Sequence, residues 1–472
     1  MIANENNTSR KFVRQQGHNL QVAIDNVFDI DSPNNDNVIY DLPVTKVWIE
    51  QLVLALMLIG QVSYRNIIAI LKDLLDYDIS LGTLNNIFNA AVERARAENA
   101  AEDLSNIEVT ANDELFHRNK PILAGIDTRS LYCYLLSAED RRDEETWAIH
   151  LMDTETKGLK PQRTICDDAR GLVSGHWMVF PQVFCEYDHF HISRALMDLR
   201  RYFRNRLKTA ITALNRLESK AKKSPSNTKL IERVLLARTE EASMRHISET
   251  TACQISWLEH DILNKAGPTP EERRELYDFV VDEFKKLEVI EAHRIKPVRI
   301  TLEKKREMIL RFSDVLADKL KLISHEFAVS VDTIWSICKL QRCDLSGDQY
   351  FFRSLPLQAK LEERFDEIED AVIQALATTE RTSSMVENLN GRVRGYIRSR
   401  QEIGFGYLDL LRFFMNHSPI VRSARPERKG KSPAEILLGK PHPHWLEMLG
   451  FERFKRTAYL SLVTDTGQGI GG

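Results

Sequence analysis

Long apolar runs are scarce in this 472-residue chain. The strongest, residues 47–59, is interrupted by Glu50 and Gln51. A bilayer span takes about 20 consecutive apolar residues, so this run reads as a buried helix. The polar stretch 1–18 has no apolar core of a secretion signal, and an intracellular, soluble protein is the expectation. Cysteine is sparse as well. The six residues (Cys133, Cys166, Cys185, Cys253, Cys338 and Cys343) form no CxxC pair, and Cys338 and Cys343 lack partners at zinc spacing. Reduced thiols fit that pattern better than a disulfide framework or a zinc site. There is no Gly-rich phosphate loop of the Walker type, so no ATP requirement is expected. No repeat of 20–50 residues is present. Nor is either sign of charge in excess: 65 Lys and Arg stand against 68 Asp and Glu, a net charge of −3. That excludes bulk attraction to nucleic acid and requires any basic surface to be local.

What is present is ordinary globular composition, 43% hydrophobic and 28% charged, over a length that allows two or three domains. Residues 1–43, rich in Asn and Asp with Pro33 and Pro43, read as a flexible polar arm. Residues 44–100 are helical by pattern. Ile67, Ile68, Leu71 and Leu75 fall at helical spacing, residues 76–80 break the run, and Ser80 suits the N-cap of a second helix bearing Leu84, Ile87, Phe88 and Ala91. Helix, short turn, helix describes a DNA-reading helix-turn-helix and a plain helical hairpin equally well. The second helix opens with Gly82-Thr83-Leu84-Asn85-Asn86, polar rather than basic, and leaves both readings open.

Near Asn106 the period changes from helical to alternating, with Ile107, Val109, Ala111, Asp113 and Leu115 on one face. Residues 122–136 read as two antiparallel strands turning near 128–130, residues 144–154 as a helix, and residues 164–166 and 182–187 as strands. This pattern predicts an α/β domain with a mixed sheet over 106–191. An all-helical stretch follows over 192–377, with breaks near 224–227, 267–270, Pro297 and 344–347. Residues 378–417 are helical again, and 418–472 read as a basic connector and tail.

Three acids stand out. Asp113 lies in a strand, Asp167 ends another, and Glu387 lies in an Arg-rich helix. Carboxylates at the carboxyl ends of neighbouring strands open into a crevice, and two of them side by side repel unless a cation intervenes. Mg²⁺ or Mn²⁺ prefers such oxygen ligands, and two ions about 4 Å apart stabilise both the attacking and leaving oxygens of an in-line phosphoryl displacement. Asp127, in the Gly125-Ile126-Asp127 turn, rivals Asp113, although Asp is common in turns for conformational reasons alone. Two basic stretches flank the acids. Residues 194–223 carry ten Lys or Arg, including Arg200, Arg201 and Arg204, against Asp198 and Glu218; residues 392–431 carry ten, including Arg392, Arg394 and Arg398, against three acids. Such stretches hold nucleic-acid phosphates without reading sequence, or are simply solvated faces.

Asn112-Asp113-Glu114, Cys166-Asp167-Asp168-Ala169-Arg170-Gly171-Leu172, Asp188-His189-Phe190-His191 and Val386-Glu387-Asn388-Leu389-Asn390 with Arg392 and Arg394 together resemble a bacterial insertion-sequence DDE transposase. The likeness is to the Mutator-like branch or a near relative, and it covers about 107–200 and 380–440. Lys431-Ser432-Pro433-Ala434-Glu435 is similar to the ends of many integrase-like enzymes. In that branch the second aspartate precedes Gly-x-x-Gly-Leu. Here Asp168 replaces the first glycine, which leaves Asp167 and Asp168 as alternatives, with Asp167 favoured because it shares a face with Ile165.

The resemblance implies an RNase H-like catalytic core split by a large all-α insertion, an N-terminal helix-turn-helix-like region, and two Mg²⁺ or Mn²⁺ ions held by Asp113, Asp167 and Glu387. It implies support near the scissile phosphate from His191, a residue that equally suits a satisfied histidine at a strand-to-helix junction. It implies double-stranded DNA partners (transposon ends and target), a homodimer or higher oligomer, and a place at the nucleoid in the bacterial cytoplasm. Insertion aromatics in such enzymes stack on displaced bases; for Trp257 and Trp335 core packing is the stronger expectation. An inactive DNA-binding relative and a metal-dependent nuclease without joining activity are the alternatives.

Overall fold

The computed structural model describes residues 14–20, 42–167, 169–344, 347–381, 384–398, 402–404, 406–423 and 425–454. The chain divides into two compact units, Met1–Leu52 and Val53–Gly472. In the first, residues 14–20, within the expected loose arm, are helical, and helix α1 (Lys46–Leu58) begins. Residues 1–13 and 21–41 of that arm lie outside the described residues.

The second unit starts within α1 and continues with α2 (Tyr64–Leu75) and α3 (Leu81–Ala100), as the periodicity predicts. Ser63 and Ser80 cap them, each side chain accepting from a first-turn backbone N–H, Asn66 and Thr83 respectively. A five-stranded sheet follows: β1 (Val109–His117), β2 (Lys120–Asp127), β3 (Cys133–Ala138), β4 (Arg163–Cys166) and β5 (Cys185–Tyr187), in the order β3-β2-β1-β4-β5. The first three strands form an antiparallel meander, and β4 and β5 run parallel to β1. The architecture is therefore mixed α/β.

One sheet face carries α4 (Glu144–Thr156) and α5 (Arg170–Val179), with Leu123, Trp147, Leu151, Cys166 and Leu172 in the shared core. Helix α5 was not foreseen, because it has no side-chain cap at Ala169 and holds two glycines. Those glycines bring it close to α4. A Cβ at Gly175 would stand 2.6 Å from the Glu144 carbonyl oxygen, and one at Gly171 would run into the Arg142 carbonyl.

The all-helical stretch begins at His189, three residues earlier than predicted, because Asp188 caps it. Helices α6 (His189–Lys223) and α7 (Thr228–Trp257) form a long antiparallel hairpin, bridged by Arg238 and Glu218. Then come α8 (Pro270–Glu288), α9 (Ala292–Lys304), α10 (Arg306–Glu326), α11 (Val331–Leu340), α12 (Asp348–Leu361) and α13 (Phe365–Thr378). Two cores hold this region. One joins α6 to α10 through Leu196, Phe203, Ile255, Phe284 and Ile309; the other joins α10, α11 and α13 through Leu320, Trp335 and Ile368. Trp335 is thus a core residue, as expected. Trp257 is not: Ile255, Leu258 and Ile262 take the inward face where α7 passes into a π-turn, which leaves Trp257 38% exposed against Phe279.

Pro297 does not break the chain as predicted but sits inside α9. The carbonyl it deprives of a partner belongs to His293, and both residues face solvent, where water replaces the lost bond. The expected single helix near the C-terminus is two, α14 (Ser384–Ile397) and α15 (Tyr407–His417), separated where Gly406 takes a left-handed φ of 79°. Beyond them the expected connector and tail hold a short helix, Pro433–Leu438, whose Ala434 and Leu437 complete the core over α4 and α5. Among the described residues no helix is long and apolar enough to cross a membrane.

Candidate active site

Register explains how distant acids come together. β1 and β4 pair in parallel with Ala111 opposite Ile165 and Asn112 opposite Cys166. β4 and β5 pair with Cys166 opposite Tyr187. The next residue on each strand is an aspartate: Asp113, Asp167 and Asp188 stand at one level across three parallel strands. Alternation turns Asp113 away from the core side occupied by Cys166 and Trp147; within β1 it shares a face with Ala111 and Leu115 as the pattern predicts, whereas Ile107, predicted on that face, precedes the strand and packs into the Trp147 core. The bidentate pair of Arg163 with Glu186, at 2.6 Å for each bond, anchors the other ends of β4 and β5.

The start of α6 brings in the histidine. Asp188, fully buried, caps the helix by accepting from the Phe190 N–H at 2.9 Å, and its other oxygen stands 3.7 Å from His191 Nε2. One potential ligand atom from each of Asp113, Asp167 and His191 lies within 4.8 Å of the others. His191 Nε2 is buried without a hydrogen-bond partner among the described residues. Its neighbour His189 faces the opposite way: it is buried against the Ile309 carbonyl at 2.7 Å, and burial pushes its imidazole down to about 3.

Helix α14 covers β1 on the Asp113 side. Asn390 donates to Asp113 Oδ2 at 2.7 Å, while the Glu114 N–H donates to the other oxygen at 2.7 Å. Burial first, and then the charges of Asp167, Glu387 and Asp188, push the Asp113 carboxyl up to about 7. Four carboxylates therefore act on one small volume, although Glu387 stands outside the 4.8 Å set. Asp168 lies outside the described residues. Two members of this site were not singled out as such from the sequence. Asn390 sits one helical turn beyond Glu387, a spacing that is a usable signal, and Asp188 had been noted only as part of its motif.

Asp127 is spent on its turn, accepting from the Ser130 N–H and hydroxyl at 2.8 and 2.5 Å and from the Arg129 N–H at 3.3 Å. Arg428, from the connector, donates to the Thr128 and Arg129 carbonyls and fixes that turn. The predicted DNA-contacting residues Arg200, Arg201 and Arg204 are exposed on α6, and Arg392, Arg394 and Arg398 are exposed on or just past α14. Arg392 lines a groove with Asn388, Arg422 and Arg428 beside α14. A separate groove in the helical region, lined by Trp257, Phe279, Lys339, Arg342 and Arg353, contains none of the site acids.

Two carboxylates together with the His191 Nε2, which has no hydrogen-bond partner among the described residues, suit a divalent cation; burial first and the neighbouring acids second keep the Asp113 carboxyl raised. No protein-family model matches the chain, and none of the curated proteins matches it.

Proposed function

We propose that this chain is a DDE-type transposase with an RNase H-like core, cutting DNA at transposon ends and joining those ends to target DNA. The observation that carries the reading is the convergence of Asp113, Asp167 and His191 within 4.8 Å, beneath the helix that bears Glu387. The sheet order, an antiparallel meander extended by two parallel strands, supports an RNase H-like core. The long helical region between Asp167 and Glu387 supports an insertion of the kind the resemblance implies.

A divalent cation held by Asp113, Asp167 and His191 would supply Lewis-acid stabilisation of the charge that builds on the phosphoryl oxygens. Mg²⁺ and Mn²⁺ both accept the two carboxylates, and the imidazole tilts the set towards Mn²⁺. Glu387 is the ligand we assign to a second ion. The chain's own residues set the geometry. Asn390 and the Glu114 N–H fix the two oxygens of Asp113, and Asp188 fixes the first turn of α6 and with it His191. The helices of 44–100 are assigned to end binding, and work on paired ends calls for a dimer or higher oligomer.

The test uses duplexes carrying the sequences that flank the chain's own reading frame, with Mg²⁺, Mn²⁺ or EDTA. Asp113→Ala, Asp167→Ala and Glu387→Gln should each cut about a thousandfold more slowly or worse with DNA affinity nearly unchanged, and Asp168→Ala should still cut. Full activity in Glu387→Gln would remove that residue from the site. Binding without metal-dependent cutting would make the chain a DNA-binding relative. Nicks without joined products would make it a nuclease.

A further inference from the structure

Helix α6 starts at the acidic site and runs 35 residues away from it, about 50 Å. Its buried residues Ile192, Leu196, Leu199, Phe203 and Ala210 form one line. At 3.6 residues per turn, Arg194, Arg201, Arg204, Lys208, Arg216, Lys220, Lys222 and Lys223 all fall within roughly 90° of the opposite line. All are exposed, and all but Arg201, which sits 3.6 Å from Asp198, make no ion pair among the described residues. The partner helix α7 has no such bias: four Lys or Arg balance four Glu. A hairpin that needed only solvation would share its charge between both helices. Here eight of the ten Lys and Arg of α6 lie on its solvent half, Arg200 and Arg206 being the two outside it, and this is the one helix of the pair that begins at the site.

We infer that this face of α6 is an arm that tracks the backbone of duplex DNA on one side of the scissile phosphate. The inference rests on DNA being the substrate, as read above. From Arg194 to Lys223 the stripe covers about 44 Å, the length of about 13 base pairs and more than one duplex turn. It falls into two clusters, Arg194 to Lys208 near the site and Arg216 to Lys223 at the tip, separated by about 12 Å without a cation. That gap is close to the major-groove width, about 12 Å, so the clusters can sit on phosphates either side of the groove. Contacts of this kind hold any sequence and set how much duplex the site requires.

The experiment compares wild type with the triple variant Arg216→Gln, Lys220→Gln, Lys223→Gln. These side chains are exposed and unpaired, so the variant should melt at the wild-type temperature. Affinity for a 30-base-pair end duplex is followed by fluorescence anisotropy in EDTA across a salt series, which scores binding without cleavage. The slope of log affinity against log salt should fall by about 3 in the variant. Trimming the duplex from one terminus should reduce the wild-type slope and leave the variant's unaltered; trimming from the other should affect both alike. An unchanged slope in the triple variant, equal sensitivity to trimming at both termini, or equal affinity for the single strand would each overturn the arm. Cutting by wild type with no slope change in the variant would sink this inference and leave the proposed function standing. A slope change with no cutting by any form would do the reverse.

Discussion

The sheet with its acids and the helical region between α6 and α13 use polar side chains in opposite ways. Around the sheet, polar contacts are buried and join residues hundreds of positions apart. Asn390 reaches Asp113, Asn416 pairs with both the N–H and the carbonyl of Cys133, and Arg412 donates to the Tyr134 carbonyl and to Glu102. In the helical region the charged contacts lie mostly at the surface, and many are one turn apart, as with Lys285 and Asp282 or Lys286 and Glu283. The difference teaches where mutation is costly. Water can replace a surface pair at little expense, but it cannot reach the Cys133 backbone behind Asn416.

Arg273 is the exception that tests whether burial or region sets the cost. It lies in the helical region, fully buried, and has no carboxylate partner among its hydrogen bonds. It donates instead to the carbonyls of Asp261, Ile262, Lys265 and Pro268, which closes the π-turn after α7; burial pushes its guanidinium down to about 10. Arg273→Met removes the donor to four carbonyls and should cost about 3–5 kcal/mol, the largest effect predicted for any stability variant here. A shift in the urea midpoint would measure it. A loss below about 1 kcal/mol would mean that the region, and not burial, sets the cost.

Asn416→Ala comes next. It orphans one backbone donor and one acceptor of β3, so the expected loss is about 2–3 kcal/mol in the same measurement. Metal-dependent cutting should survive in the folded fraction, because Asn416 touches none of the acids. A variant as stable as wild type would show that water reaches this strand and would weaken the contrast.

The same contrast explains what was legible beforehand. Alternation put Asp113 on one face with Ala111 and Leu115, and a polar break with Ser80 marked the start of α3, because both signals are local. The parallel register that levels Asp113, Asp167 and Asp188 is a property of three strands at once and has no local signature. Asn390 was overlooked because its partner is 277 residues away. Helix α5 escaped because its glycines, poor helix formers, are there for close approach to α4 rather than for helix propensity. Trp257 misled because a π-turn shifts the register after α7. Asp113, Asp167 and His191 were legible from their local settings; the register that levels the acids and the long-range partners that hold them were not.

The smallest effect sharpens the comparison from the other side. Arg238 donates to Glu218 Oε1 from Nε at 2.9 Å and from Nη2 at 2.7 Å, linking α7 to α6 across the hairpin. Unlike the one-turn pairs, it joins two helices and looks structural, yet the Arg238 side chain is 60% exposed. If exposure governs, Arg238→Gln should change stability by no more than about 0.5 kcal/mol, and raising the salt should erase even that. Removing the cation also leaves Glu218 uncompensated behind the basic face of α6, so the hairpin's attraction for phosphate should fall slightly without any loss of fold. Thermal melts of wild type and variant at low and high salt decide the matter. A loss above about 1.5 kcal/mol that persists at high salt would show that this bridge holds the hairpin together, and exposure would no longer separate the two regions.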